Sequence, residues 1–454
     1  MRAESPQPTA VSHQPTAISR STMRLARALP SWIVACGLAV GCGLWADGLS
    51  AQDAPTGETA VVFQRYSARV PKIQVLESST GAKTVTGSGF YIDRDGHLIT
   101  NYHVVSKLVA HPDRYRAELL DSAGTARAVT VLRVDVIHDL ALLATTPAGD
   151  VPLPIAEGLP PQGRRLYSLG HPYELGITIV EGTYNGLMAH ALSPRIHLTG
   201  ALNPGMSGGP TIDAAGHVVG VNVATAGNEV SFLVPASAVA QLIAGGSAAH
   251  WAPEPELLTD VAAQLRAYSD GYLAAMFTGD VPHTTLGGVQ FPTRAAPFFN
   301  CWADTDRDPS QPWESVEHIC VTDDQVFLSE DLWAGVLEFG HTLYTSDELS
   351  PVRFYSLYQN EFGGDVQFLS GGDEDLTAFR CRTRNVAQGG AKWRTVFCLR
   401  AYKHLTGLYD AVFKAAQLGR GNVGVMTRLT LSGVTARAAE TTARRYFARV
   451  RWVR

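Results

Sequence analysis

The sequence predicts a β-rich barrel or sandwich between residues 57 and 248, followed by an α+β module from residue 256. Short β-branched or aromatic runs such as GSGFYI, HLITN and HVVGVNVAT fill the first region and are separated by Gly, Pro, Asp and Asn. That spacing is typical of antiparallel all-β folds. Beyond residue 256, helical periodicity is followed by longer strand-like runs, which indicates a second kind of architecture.

The overall composition limits the classes of function. The 454-residue chain is long enough for about three domain-sized units. Its hydrophobic and charged fractions, 45% and 17%, are ordinary for a globular protein. A formal net charge of −5 argues against a nucleic-acid-binding protein, which usually presents a strongly basic face.

The first 51 residues are predicted to be an N-terminal extension and a secretory signal peptide. Arg24 and Arg27 precede an uncharged run, residues 28–46, and small polar residues follow it. Cleavage is predicted after Ala51, and the protein is then exported to the periplasm or the extracellular space. Two alternatives stay open, a retained anchoring helix and lipidation at Cys42, and either would associate the protein with a membrane.

The stretch NPGMSGGP places Ser207 among three glycines and two prolines. Glycine lets the backbone take unusual angles and lets another group approach closely, which suits a tight turn or a reacting serine. A hydroxyl that attacks at neutral pH needs a base, and the base needs a third group that orients it. His103 in TNYHVV and Asp139 in VIHDLALL supply these residue types, in the chain order His103, Asp139, Ser207.

These motifs resemble the trypsin-fold serine peptidases of the HtrA, or Do-like, type. The similarity runs from GSGFYIDRDGHLITNYHVV through HDLALL and NPGMSGGP to GHVVGVNVAT and SFLVP, in order and with comparable spacing. It implies an all-β double six-stranded barrel of the trypsin/chymotrypsin type in residues 57–248, with the site between the barrels. It further implies that Ser207 attacks, that His103 transfers protons and that Asp139 orients the imidazole. The peptide N–H groups of Gly205 and Ser207 would form the oxyanion hole.

Two neighbouring residues are alternatives for the base and the acid. His138 adjoins Asp139, and Asp135 lies in the same segment, RVDVIHD. By the resemblance, His138 occupies a variable position and Asp135 a position that often holds a structural aspartate, so His103 and Asp139 are preferred. Met206 stands where HtrA-type enzymes commonly carry asparagine, which leaves open how the oxyanion loop is held.

The predicted substrate-binding residues lie on two segments near the nucleophile. Ala201 and Leu202 precede it, and Val221, Asn222 and Val223 belong to the strand expected to line the pocket. No acid or base is obvious at the floor of this pocket. Cleavage after small or medium aliphatic residues such as Ala, Val or Leu is therefore predicted.

Residues 256–454 are predicted to form a separate α+β accessory domain of unknown family, after a linker at residues 249–255. Apolar residues at intervals of three and four, beginning at Leu258, mark an amphipathic helix. HtrA-type peptidases usually continue into PDZ domains, and no PDZ-like carboxylate-binding loop is recognisable here. The arginine-rich helix at the end of the chain is interpreted as packed, with binding to an anionic membrane surface as the alternative.

Four cysteines outside the leader are predicted to form disulfides: Cys301, Cys320, Cys381 and Cys398. Four cysteines allow three pairings, and export makes pairing chemically reasonable. Local pairing, 301 with 320 and 381 with 398, is favoured because each pair flanks a short segment. A four-cysteine zinc site with His318 as a spare ligand is the alternative, although it lacks C-x-x-C spacing.

The predicted function is that of an exported serine endopeptidase acting on unfolded or exposed segments of proteins and peptides, with no metal or organic cofactor. Two alternatives stay open, a non-catalytic binding protein on the same scaffold and a processing protease dedicated to one partner. The resemblance also allows a homotrimer, whose contacts would involve the segment around Phe63 and Tyr66.

Overall fold

The computed structural model describes residues 57–149, 151–227, 229–244, 254–308, 310–364, 369–419 and 421–453. The predicted leader, with its cleavage site, and most of the predicted linker lie outside the described residues. The described part consists of two β-barrels and a C-terminal module of helices and sheets. No helix within it is long and apolar enough to cross a membrane.

The first barrel follows helix α1 (Glu58–Tyr66) and contains helix α2 (Tyr102–Ala110). Its strands are β1 (Lys72–Glu77), β2 (Lys83–Ser88), β3 (Phe90–Tyr91), β4 (His97–Thr100), β5 (Tyr115–Leu120), β6 (Ala126–Asp135) and β7 (Leu140–Thr145). They pair in the order β2-β1-β5-β6-β7-β4-β3. Because only Gly89 separates β2 from β3, one stretch of chain forms both edges of the sheet, which closes as a six-stranded barrel.

The second barrel is fully closed. Its strands are β8 (Arg165–Gly170), β9 (Thr178–Leu187), β10 (Ile196–Thr199), β11 (Pro210–Ile212), β12 (Val218–Gly227) and β13 (Val230–Pro235). They run in the order β10-β13-β12-β11-β8-β9, and helix α3 (Ala236–Ala244) follows. The double-barrel prediction is therefore confirmed.

The C-terminal module begins with helix α4 (Glu254–Ala275), which starts two residues before the predicted boundary. Its later helices are α5 (Pro351–Gly363) and α6 (Ala436–Phe447). Its strands are β14 (His283–Leu286), β15 (Val289–Pro292), β16 (Asn300–Asp306), β17 (Glu314–Val321), β18 (Val326–Ser329), β19 (Leu332–Ala334), β20 (Leu337–Thr345), β21 (Arg380–Gln388), β22 (Ala391–Ala401), β23 (Tyr409–Gln417), β24 (Val423–Val434) and β25 (Arg451–Trp452).

The module contains one large sheet and two small ones, as expected for an α+β architecture. The large sheet has the order β16-β17-β20-β24-β23-β22-β21. The small sheets are β14-β15-β25 and the two-stranded hairpin β18-β19. Helix α6 packs on β23 and β24, and its Ala439, Ala443 and Tyr446 are buried in the module's core. The arginine-rich terminal helix is thus packed, as interpreted from the sequence.

The module and the first barrel share one hydrophobic core. Val105 and Leu108 from α2 lie in the same cluster as Val261 and Leu265 from α4. Gln264 adds polar contacts: its Nε2 donates to the Val134 carbonyl at 2.7 Å and its Oε1 accepts the Val136 N–H at 2.9 Å. The module therefore differs from the barrels in architecture but is continuous with the first of them in packing.

Both predicted disulfides are present. Cys301–Cys320 joins directly paired positions of β16 and β17, and Cys381–Cys398 does the same for β21 and β22. Crosslinks that close loops of this size typically stabilise a fold by about 3 kcal/mol each. The cysteines considered for a zinc site are thus paired with each other instead.

Candidate active site

His103 and Asp139 meet where α2 begins beside the turn between β6 and β7. Asp139 Oδ1 accepts the peptide N–H of His103 at 2.9 Å, and its Oδ2 lies 2.7 Å from the imidazole Nδ1. An ionised carboxylate only accepts hydrogen bonds, so we assign the ring proton to Nδ1. The other ring nitrogen, Nε2, is then free to accept a proton.

Asp139 is held in place through its backbone as well as its carboxylate. Its φ of 59° lies in the left-handed region, which aspartate tolerates better than most residues. The Asp139 carbonyl accepts from Asn101 Nδ2 at 2.7 Å and from the Tyr102 N–H at 3.2 Å. The residues just before His103 therefore fix the acid that orients it.

Asp135 and His138, the alternative acid and base, form a pair of their own. Asp135 Oδ2 lies 2.7 Å from His138 Nδ1, and its Oδ1 accepts the His138 N–H at 3.0 Å. Burial acts to raise the pKa of the Asp135 carboxyl, but the hydrogen bonds and charge of His138 outweigh it and hold that pKa below its usual value. The structure thus keeps this pair separate from His103 and Asp139.

Ser207 lies in the turn that leads into β11 of the second barrel, and this turn touches the first barrel. The Ser207 carbonyl accepts the Ser88 N–H at 2.8 Å. At Gly208, a Cβ would lie 2.2 Å from Thr100 Oγ1 and 2.9 Å from the peptide nitrogen of Asn101. The serine turn is therefore pressed against the segment that enters α2.

The Ser207 hydroxyl donates to the carbonyl of Val223 at 3.3 Å. No hydrogen bond joins this hydroxyl to His103 in the part of the chain that the structure describes. The His103–Asp139 link of the predicted triad is thus formed, while the serine hydroxyl points to a backbone acceptor on β12.

The backbone before Ser207 presents two free donors. Gly205 has a φ of 97°, and a Cβ there would lie 2.3 Å from the His171 carbonyl, so only glycine fits. The Pro204 carbonyl accepts the Tyr173 N–H at 3.2 Å, and in a trans peptide the following N–H points the opposite way. Over the described residues, the peptide N–H groups of Gly205 and Ser207 have no protein acceptor.

Ser88, which the sequence analysis did not single out, connects the two barrels at the serine turn. It is fully buried, and its Oγ donates to the Gly205 carbonyl at 2.8 Å and accepts the His171 N–H at 2.9 Å. Its carbonyl accepts from Thr100 Oγ1 at 2.7 Å. The available signal was its place between two glycines in GSGF, where only a small polar side chain fits.

Comparison with known proteins agrees with this geometry. A family model described as trypsin-like peptidase domain matches residues 87–221. Protease Do-like 5, chloroplastic, from Arabidopsis thaliana is 30% identical over 216 residues, which cover 40% of this chain and 67% of the relative. The chain belongs to the Do-like family of trypsin-fold serine peptidases.

Other similar proteins are matched over different shares of their own length. A probable periplasmic serine endoprotease, DegP-like, from Bartonella henselae is 29% identical over 197 residues, 39% of this chain and 37% of that protein. The crystal structure of Deg5 is 29% identical, with a TM-score of 0.36, over 42% of this chain and 96% of that one. More than half of this Do-like chain therefore lies outside each similarity.

Met206, the unusual residue of this Do-like peptidase, is held by packing. Its side chain is fully buried and belongs to a core cluster with Leu198 and Leu202. Its carbonyl accepts from Asn222 Nδ2 at 3.2 Å, and the same amide donates to the Leu169 carbonyl at 3.0 Å. Apolar burial and one buried amide thus fix the turn that carries Ser207.

The predicted substrate-binding residues divide into two groups. Ala201 and Val223 keep accessible surface beside the serine turn. Leu202, Val221 and Asn222 are buried, with exposures of 6%, 0% and 1%. Placing those three on an open pocket wall is therefore corrected, because the strand and turn direct them into the barrel core and, for Asn222, into hydrogen bonds that brace the turn.

Proposed function

We propose that this protein is an exported serine endopeptidase with Ser207 as nucleophile, His103 as base and then acid, and Asp139 as the orienting carboxylate. The observation that carries the proposal is the double contact of Asp139 with the backbone and ring of His103, at 2.9 and 2.7 Å. This contact holds the imidazole in the tautomer that can take a proton from a serine. The Do-like family membership supports the same chemistry.

The reaction proceeds in two steps, acylation of Ser207 and hydrolysis of the acyl-enzyme. Ser207 Oγ loses its proton to His103 Nε2 and bonds to the carbonyl carbon of the substrate, whose oxygen becomes an oxyanion. Nε2 then protonates the departing amine as the C–N bond breaks, which leaves an acyl-enzyme. Water repeats the sequence: it gives a proton to Nε2 and attacks the ester, and the proton returns to Ser207 as the acid product leaves.

Two peptide groups would stabilise the oxyanion. The N–H groups of Gly205 and Ser207 have no protein acceptor within the described residues, so they can donate to a developing charge. One such donor typically contributes about 3 kcal/mol to barrier lowering. The Ser207 hydroxyl must give up its contact with the Val223 carbonyl before it can donate its proton to His103.

The proposed substrate class rests on the two predicted substrate-binding residues that keep accessible surface beside the serine turn. Ala201 and Val223 are apolar and uncharged. They support cleavage after small or medium aliphatic residues, and they give no counter-charge for arginine or lysine. Export is supported by the leader sequence and by the DegP-like relative, which is named as a probable periplasmic endoprotease. A homotrimer through the segment around Phe63 stays a prediction.

The proposed function is tested by labelling the chain of residues 52–454 with a fluorophosphonate and measuring its intact mass. A single adduct is expected, because the base and the oxyanion donors are positioned to activate Ser207, and Ser207→Ala should abolish it. An Asp135→Asn variant is the matched control and should label at a rate close to that of the parent. No adduct on the parent chain would favour the non-catalytic binding protein over the peptidase.

A further inference from the structure

A hairpin of the C-terminal module lies directly against the candidate base. The hairpin is formed by β18 and β19, and Phe327 on β18 contacts the His103 ring edge to face, with centroids 5.8 Å apart at 69°. The same phenyl ring lies 6.5 Å from the ring of Tyr102. A side chain from outside both barrels thus borders the imidazole.

The position of the hairpin is fixed by several independent contacts. Val326 and Leu328 are buried in the core shared with α2. The Tyr102 hydroxyl donates to the Leu328 carbonyl at 3.3 Å, and Lys107 on α2 pairs with Glu330 at 2.9 Å. Phe327 itself is half-buried and packs against the edge of the same core.

Two aromatic rings of the hairpin, Phe327 and Trp333, contact each other. Phe327 pairs with Trp333 across the strands, and their rings meet edge to face at 4.9 Å and 88°. Both residues are half-buried, and Phe327 is the one that contacts the His103 ring. Accessible apolar surface next to a reacting group is what an apolar substrate side chain would cover.

The segment that leads into the hairpin also contacts the second barrel. The Leu192 N–H donates to the Asp324 carboxylate, and His190 Nδ1 lies 3.2 Å from the Pro297 carbonyl. Both Leu192 and His190 belong to the loop between β9 and β10. The module therefore contacts the second barrel as well as the first.

We propose that Phe327 and Trp333 form an aromatic wall that binds one apolar substrate side chain flanking the scissile bond. This inference rests on the proposed function, since it assigns a specificity-determining surface to the same site. The C-terminal module then selects substrates from within the cleft, in addition to stabilising the first barrel. The wall should prefer leucine over glycine by about tenfold or more at one position beside the cut.

The wall is tested with the full chain and two series of peptides that share an alanine before the scissile bond. One series exchanges leucine and glycine immediately before that alanine, and the other makes the exchange immediately after the bond. The readout is the ratio of kcat/KM for leucine over glycine, which cancels any general loss of activity. Phe327→Ala should bring the ratio at one position to within about twofold of unity, and Phe327→Leu should retain most of it.

A matched control is Phe379→Ala, which removes another partly exposed aromatic ring of the same module, one that packs on Arg400 at 4.9 Å. This control should leave both ratios unchanged. Equal losses for leucine and glycine peptides in Phe327→Ala would overturn the wall and reduce Phe327 to a support for His103. A parent chain with ratios near one at both positions would overturn it as well.

A binding measurement tests this inference independently of the proposed catalytic function. The same peptides are titrated calorimetrically into Ser207→Ala and into Ser207→Ala combined with Phe327→Ala. A leucine preference that disappears with Phe327 supports the wall even if the parent chain never cleaves or labels. An unchanged preference overturns the wall even if Ser207 labels fully.

Discussion

The two barrels hold their halves of the site in different ways. The first barrel carries His103 and Asp139, and its α2 is covered by α4 and the β18–β19 hairpin of the C-terminal module. The second barrel carries Ser207 and is closed on itself, with one core of its own and a second core that it shares with Phe90, Ile99 and Leu140 of the first barrel. His103 is therefore supported by apolar residues from far along the chain, while Ser207 is supported by its own turn and a few buried hydrogen bonds.

The comparison shows two ways in which a fold can hold a residue of the site in place. A turn that must aim peptide N–H groups depends on glycine conformations and on single buried polar atoms, as at Gly205 and Ser88. A helix that must present an imidazole depends on the area of apolar surface packed behind it, as at Leu265. We expect changes in the first kind of support to affect rate, and changes in the second to affect stability.

The largest effect on rate is expected from Gly205→Ala in the second barrel. The new Cβ would collide with the His171 carbonyl and force the Gly205 peptide to turn, which removes an oxyanion donor. The expected loss in kcat is about 10²–10³-fold, measured with an aliphatic peptide substrate. Gly163→Ala is the control, because it has a similar φ of 85° with nothing within 4 Å. Equal losses in both variants would attribute the effect to backbone strain alone.

The largest effect on stability is expected from Leu265→Ala on α4. This side chain is 2% exposed in the shared core, and such truncations lower the free energy of unfolding by about 2–5 kcal/mol. Urea unfolding can be followed by tryptophan fluorescence, since every tryptophan of the described residues lies in the module: Trp302, Trp313, Trp333, Trp393 and Trp452.

The same titration is also followed by peptidase activity, which reports on the barrels. Both midpoints should fall together in Leu265→Ala, because the first barrel and the module share one core. The control Leu175→Ala removes a leucine that is 78% exposed and should shift neither midpoint appreciably. A shift seen in fluorescence but not in activity would show that the barrel is supported independently of the module.

A smaller effect is expected from acid, again through the module. Burial, with help from the charges of His318 and Arg428, lowers the pKa of His341 to about 3, although a hydrogen bond to the Pro292 carbonyl opposes the shift. In the unfolded chain that histidine titrates near pH 6.5. Below pH 6.5 the unfolded chain therefore binds a proton that the folded chain does not, and stability falls as the pH drops towards 3.

The contribution of His341 is isolated by comparison with His341→Gln, whose amide can still donate to one neighbour and accept from another. Between pH 6.5 and 4.5, the free energy of unfolding should fall more steeply for the parent than for the variant. The difference in slope is at most about 1.4 kcal/mol per pH unit. Identical slopes would assign the acid sensitivity to other groups of the protein.

The sequence predicted the parts of the site that depend on short motifs. Gly205 and Ser207 lie in a single run of eight residues, and the resemblance to HtrA-type peptidases supplied the order of the barrels. The same reasoning failed at Val221 and Asn222, because alternation along a strand does not say which face is accessible when both faces are covered. In the structure, the side chains of Val221 and Asn222 on β12 are both buried.

The hairpin against His103 could not be predicted from the sequence. QVFLSEDLWAG is one of several strand-like runs after residue 256, and nothing in its composition indicates a contact with α2. The pairing depends on the shape of a core assembled from distant segments, which pattern and spacing do not encode. Ser88 was missed for a related reason, since a small serine between glycines resembles ordinary turn material.

The contact between Tyr102 and Leu328 joins residues that are 226 positions apart in the chain. A protein is synthesised from its N-terminus, so the residues of α2 leave the ribosome well before the strand that covers them is made. During that interval the helix that bears His103 is not yet covered by α4 and the β18–β19 hairpin, because these segments have not been synthesised. The packing around His103 is therefore completed only after most of the C-terminal module has been synthesised.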